Sequence, residues 1–164
     1  MIKPNFLSKI KREGKLELVE PSEEVCSSYL GKADKCLGSA KLLLQNDYYE
    51  NSITMSYFAM YNPLIALLFK CGIKSESHSA SIVLFKKLFN NTRLFDIISW
   101  AKKERIDKQY YIISEKDNIL TKDAAQDMLD KAENFLIGIK LLIQNLKNDE
   151  IQKARENFNK AILD

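Results

Sequence analysis

The sequence predicts an all-α chain folded as an up-and-down helical bundle, and three observations carry that reading. No segment alternates apolar and polar residues at period two over a useful length, so no sheet is expected. Ala125, Met128, Ala132, Phe135, Ile139, Leu142 and Leu146 recur at spacings of three and four, the period of one helix face. The stretch Asp47 to Gly72 is apolar on nearly every side: Ile53, Tyr57, Met60, Leu64 and Leu67 make one stripe, and Phe58, Ile65, Leu68 and Phe69 fill the opposite side. A helix wetted on one flank does not look like this, whereas a central helix does.

Composition bounds the rest. A chain of 164 residues is long enough for a real core and reads as one domain, 1–164, with a lead-in (1–20), a core bundle (21–146) and a peripheral helix (147–164). A formal charge of +3 permits contact with nucleic acid without arguing for it. Cys26, Cys36 and Cys71 are an odd set with no CxxC and no neighbouring histidine, which predicts buried thiols in a reducing cytosol. Lys3, Pro4, Lys9 and Lys11 interrupt the first residues, so no signal peptide is expected. The longest apolar run, Tyr57 to Phe69, contains Asn62 and Pro63 and is too short to span a bilayer, so the expected location is cytoplasmic, with no membrane contact.

In chain order, Phe6, Leu7 and Ile10 among Lys9, Lys11 and Arg12 predict a short amphipathic helix ending at Gly14, and Leu16 and Val19 tie the next segment to the bundle. Pro21-Ser22-Glu23-Glu24 starts the first long helix, with acids where the helix dipole favours them. Ala33, Leu37, Ala40 and Leu44 are its stripe, and the small Gly31, Gly38 and Ser39 would let a neighbour approach. A short joint at Asn46-Asp47 makes the first two long helices antiparallel neighbours. Asp47 with Glu50 looks like a capping box for the second, and Gly72 can close it in the left-handed conformation. Pro63 interrupts that helix at a cost of about 3 kcal/mol. Burial of Leu64, Leu67 and Leu68, about 1.5–3 kcal/mol each, outweighs it, so a kink is expected rather than a break. Ile82, Phe85 and Phe89 form a shorter helix stopped at Asn90-Asn91, Thr92 caps the next, Ser114 to Leu120 reads as a loop, and Thr121 caps the last long helix. Ile151, Ala154, Phe158 and Ile162 make a final helix that packs on the outside.

Candidate chemistry is sparse. His78 is the single histidine, and although Ser75, Ser77, Ser79 and Ser81 surround it, no nucleophile elbow frames them. ExxH is absent and the five glycines are scattered, so neither a di-iron site nor a phosphate loop is expected, and no metal, cofactor or catalytic residue is assigned. The most suggestive stretch is Trp100 to Tyr111. Arg105 continues the stripe Leu94, Ile98, Ala101, so its stem is partly buried and its head held, with Lys102 on the same face. A guanidinium presented this way binds phosphate or carboxylate in bidentate fashion, or else forms an internal salt bridge. Tyr110 and Tyr111 fit packing as well as stacking on a base.

Taken together, these residues resemble the HEPN (higher eukaryotes and prokaryotes nucleotide-binding) superfamily, specifically its small prokaryotic stand-alone branch. The resemblance covers roughly residues 5–146. It rests on the joint Asn46-Asp47-Tyr48-Tyr49, the helix from Ser52 through Tyr57-Phe58-Ala59-Met60 to Ala66-Leu67-Leu68 and Gly72, and His78 followed by Phe85 and Phe89. Arg105 with Tyr110 five residues on, and a helix with Ala125, Ala132 and Phe135, complete it. It implies a four- to five-helix core, usually dimeric, often encoded beside a minimal nucleotidyltransferase and acting with it as a toxin–antitoxin pair. Ribonuclease members carry Arg, four to six residues, then His; in this chain Tyr110, Tyr111 and Ile112 stand where that histidine would, so metal-independent RNA cleavage lacks its base. The expected function is therefore a non-hydrolytic module that binds a nucleotide, RNA or a nucleotidyltransferase, with Arg105, Lys102, Tyr110 and His78 as its anion-binding residues. The alternatives are a ribonuclease using Arg105 and His78, and a structural interaction protein. A homodimer is expected because the Tyr57–Phe69 helix has more apolar faces than a bundle of this size easily covers.

Overall fold

A computed structural model describes residues 5–109 and 121–163. Its elements are α1 (Phe6–Arg12), β1 (Leu16–Leu18), α2 (Glu23–Gln45), α3 (Tyr49–Lys70), β2 (Ile73–Ser75), α4 (His78–Phe89), α5 (Thr92–Gln109), α6 (Lys122–Asn145) and α7 (Asn148–Leu163).

Helix α3 is the axis. It packs on α2, α6, α5 and α4, and its residues Tyr57, Met60, Leu64, Leu67 and Leu68 are fully buried. Pro63 lies inside it without ending it. By length and composition α3 could cross a membrane, but 72% of its most apolar window is buried inside the bundle. The α2–α3 pair is antiparallel, as three cross-contacts show: Ser52 Oγ donates to the Ala40 carbonyl (2.8 Å), Asn62 Nδ2 to Cys36 Sγ (3.6 Å), and Lys70 pairs with Glu23 (2.6 Å). Helix α6 runs antiparallel to α2 along Lys41–Glu133 and Lys140–Asp34. Its predicted stripe is the buried one through Ala125, Met128, Ala132, Phe135 and Ile139. Helix α7 packs outside, on α4 and α1.

Several local expectations are corrected. A small antiparallel ribbon exists, pairing Leu16 with Ser75 and Leu18 with Ile73; three residues per strand are too few to display a period of two. Asp47 does not open α3. It closes α2 in the left-handed conformation (φ 63°), with Tyr48 N–H donating to Leu43 and Asp47 N–H to Leu44, the Schellman pattern. Asn91, not Thr92, caps α5, its side chain accepting from Leu94 N–H (3.1 Å). Gly31 and Gly38 face solvent; the close helix approach is at Gly138, against Leu94. Thr121 caps α6 as expected, accepting from Ala124 N–H at 3.1 Å.

Gly72 ends α3 at φ +69°, where a Cβ would collide with Arg155 and the Val19 carbonyl. Arg155 Nη1 donates to the carbonyls of Val19 (2.8 Å), Cys71 (3.0 Å) and Gly72 (3.0 Å), so a cation from α7 sits on the negative end of α3. All three cysteines are free; Cys26 and Cys71 are buried and Cys36 half-buried. Burial pushes the Cys71 thiol up to about 12, leaving it an inert core group. The central helix, expected to leave apolar faces uncovered, is instead covered by its own chain: between Tyr57 and Phe69 only Phe58, Asn62 and Phe69 are partly exposed.

Candidate anion-binding site

Three helices bring the site together. From α3 come Tyr57 and Tyr61, one turn apart, with rings stacked at 6.1 Å between centroids, and Phe58 beside them. From the first turn of α4 come His78 and Ser79, placed by Ser77, whose hydroxyl caps the helix through Ala80 N–H (3.2 Å). From α5 come Lys102 and Arg105, carried by the buried stripe Leu94, Ile98 and Ala101.

His78 lies flat on Tyr61, with ring centroids 3.7 Å apart and planes 11° from parallel, and meets Phe58 edge-on at 6.2 Å. Its Nδ1 is 2.8 Å from the Tyr57 hydroxyl. The Arg105 guanidinium sits over the same aromatic shelf, its Cζ 5.0 Å from the Tyr57 centroid and 5.4 Å from that of Phe58. Lys102 Nζ donates to Ser79 Oγ. Behind the shelf, the Tyr61 hydroxyl is 3.3 Å from Ser81 Oγ, and Ser81 in turn donates to Ser75 Oγ (2.8 Å) on β2. The ribbon thus props the wall on which His78 rests.

The electrostatics follow from this crowding. Burial, then the charges of Arg105 and Lys102, hold His78 below the usual imidazole range, so it is neutral at neutral pH. Burial and then Arg105 lower Lys102. Burial, reinforced by Tyr61, drives the Tyr57 phenol far above its ordinary value against the opposing pull of Arg105, so it stays protonated. An arriving anion would relieve repulsion among the cations, which is what a phosphate site requires.

Of the residues expected from sequence, His78, Lys102 and Arg105 converge, although 24 positions separate the first two; Tyr110, like the loop expected at Ser114 to Leu120, lies outside the described residues. Sequence reading assigned Tyr57 to the core, which it is, but missed its hydroxyl's second role, and it missed Tyr61, Phe58 and Ser79. The available signal was two tyrosines one turn apart in an apolar helix, because a buried phenol needs a polar partner. Among the described residues no three His, Cys, Asp or Glu side chains cluster as metal ligands.

A family model described as "HEPN domain" matches residues 26–142. The chain is 27% identical over 137 residues to a "UPF0332 protein" of Thermotoga maritima, covering 76% of this chain and 96% of that one. It is 28% identical over 126 residues to a protein of Methanocaldococcus jannaschii named "Putative toxin", covering 73% and 83%. The fold is similar to a crystal structure of an archaeal HEPN homologue, with a TM-score of 0.57 and 23% identity over 73% of this chain and 98% of the other.

Proposed function

The chain belongs to the HEPN family, and from that premise we propose that it is a non-hydrolytic, toxin-like module that binds a nucleotide or RNA through phosphate at His78, Lys102 and Arg105. The observation that carries this reading is that Arg105 and His78, from different helices, meet on the Tyr57 ring with Lys102 alongside. A guanidinium fixed on an aromatic shelf loses less freedom on binding phosphate than a free surface lysine does. The name of the Methanocaldococcus relative supports a place in a toxin–antitoxin pair, and a minimal nucleotidyltransferase is the proposed partner. Three free thiols support a cytoplasmic location. A homodimer remains part of the reading, on a different surface from the central helix: Ile137 and Leu141, one turn apart on α6, are 60% and 53% exposed. Light scattering at micromolar concentration decides it, and a clean monomer ends it.

The test of binding is calorimetry with ATP, AMP and a short RNA on wild type and Arg105→Ala. Wild type should bind and weaken with salt, as phosphate contacts do, while Arg105→Ala should lose at least tenfold. No binding at millimolar ligand, or equal binding by the variant, refutes the site.

The same meeting of Arg105 and His78 favours a second reading, a metal-independent ribonuclease. Cleavage needs both a base for the 2′-hydroxyl and an acid for the leaving oxygen, and His78 is the chain's only imidazole. Metal-free cleavage lost in both Arg105→Ala and His78→Ala would establish it.

A further inference from the structure

We infer that Tyr57 is a positioning residue that locks neutral His78 as its Nε2–H tautomer, making His78 a hydrogen-bond donor to a bound phosphate oxygen rather than a proton acceptor. The inference rests on the proposed anion site and assigns one of its groups a role.

The argument is one of hydrogen-bond satisfaction. Tyr57 is fully buried, and its hydroxyl meets Nδ1 of His78 at 2.8 Å and hydrogen-bonds the Arg105 guanidinium, which can only donate to the phenol oxygen. A phenol carries a single hydrogen, and a buried donor left unmade costs about 1–3 kcal/mol. Were Nδ1 to carry the proton, it and Arg105 would both donate to the phenol oxygen, and the Tyr57 O–H would find no acceptor among the described residues. The consistent assignment is O–H of Tyr57 donating to the lone pair of Nδ1, which puts the imidazole proton on Nε2. The aromatic contacts hold the ring in the plane that aims this lone pair at the phenol: one face lies against Tyr61 at 3.7 Å, and Phe58 meets the ring edge-on. Tyr61, whose hydroxyl turns instead to Ser81, fixes the plane of the ring and Tyr57 fixes its tautomer.

Among the described residues, the charged groups facing His78 are Arg105 and Lys102 from α5. Tyr57 and Tyr61 face it from α3 as neutral phenols, and on α4 its neighbour Ser79 accepts from Lys102. The local set of Nε2–H, ammonium and guanidinium consists of donors, which matches the oxygens of a phosphate. It also separates binding from cleavage. In neutral His78 both nitrogens are committed, Nδ1 to Tyr57 and Nε2 to its own proton, so no lone pair is left to take a 2′-hydroxyl proton.

The single histidine makes the test direct. Long-range ¹H–¹⁵N correlation spectra of the ¹⁵N-labelled full chain, recorded well above the His78 midpoint, should show one imidazole with Nε2 protonated and Nδ1 bare. Tyr57→Phe keeps the packed ring and removes only the hydroxyl. It should release His78 into a tautomer mixture and weaken ATP binding about three- to tenfold, as expected for one lost hydrogen bond. His78→Gln, which restores an N–H near Nε2, should bind ATP more tightly than His78→Ala. A wild-type Nδ1–H tautomer, or an unchanged tautomer in Tyr57→Phe, overturns the inference while leaving the anion site standing if ATP still binds. A wild type with the Nε2–H tautomer that binds no ATP overturns the anion site, and with it the donor role of His78.

Discussion

Gly72 concentrates several constraints in one residue without a side chain. It is left-handed, and the space where a Cβ would begin holds Arg155 and the Val19 carbonyl. Gly72→Ala should destabilise by about 2–4 kcal/mol, combining an unfavourable φ with a clash, read as a shift in the urea midpoint at unchanged slope. His78 gives a second prediction at this scale. Its folded value lies below the unfolded 6.5, so between those values the unfolded chain holds more protons and stability rises with pH. Wild type should therefore lose stability as pH falls through that window while His78→Gln shows no such slope. Urea unfolding of both proteins at neutral and acid pH checks the sign. Arg105 and His78 were legible as candidates because one extends an apolar stripe and the other is unique. That they share the ring of Tyr57 was not legible, since periodicity specifies which residues share one helix face but not which faces of separate helices meet.

At the scale of elements, the long helices were readable because each carries enough turns for period and phase to show. The ends were less so, for a physical reason: adjacent residues compete for the same role. Asn91 and Thr92 can both cap, and Asn91 wins because its side chain reaches Leu94 N–H. Asn91→Ala should cost about 1 kcal/mol and Thr92→Ala should fall within about 0.5 kcal/mol of wild type, a difference chemical denaturation resolves. Asp47 shows the same competition. It was a plausible opening residue for α3, but the chain leaving α2 needs a left-handed residue there, and Asp is among the few non-glycines that tolerate it.

Across the whole molecule, the link least visible in sequence is Arg155. From the outermost helix it gathers carbonyls from the lead-in and from the end of α3, residues up to 136 positions away. Arg155→Met keeps most of the side chain's bulk and removes three hydrogen bonds from a cation. It should cost about 3 kcal/mol, measurable as a fall in Tm of several degrees. Lys102 and Arg105 are not in this network, so anion binding by the folded variant should persist.

The ribbon between β1 and β2 has a consequence in time. Helices α2 and α3 are joined by three residues and can meet early, because closing so short a loop costs little entropy. Leu16 finds Ser75 only after the whole α2–α3 hairpin has formed between them. The lead-in should therefore engage late, after the rate-limiting step. Leu16→Ala, at a fully buried position, should leave the refolding rate close to wild type and act mainly by speeding unfolding. The wall behind His78, which leans on β2 through Ser81 and Ser75, would then be among the last parts of the chain to settle and among the first to be released.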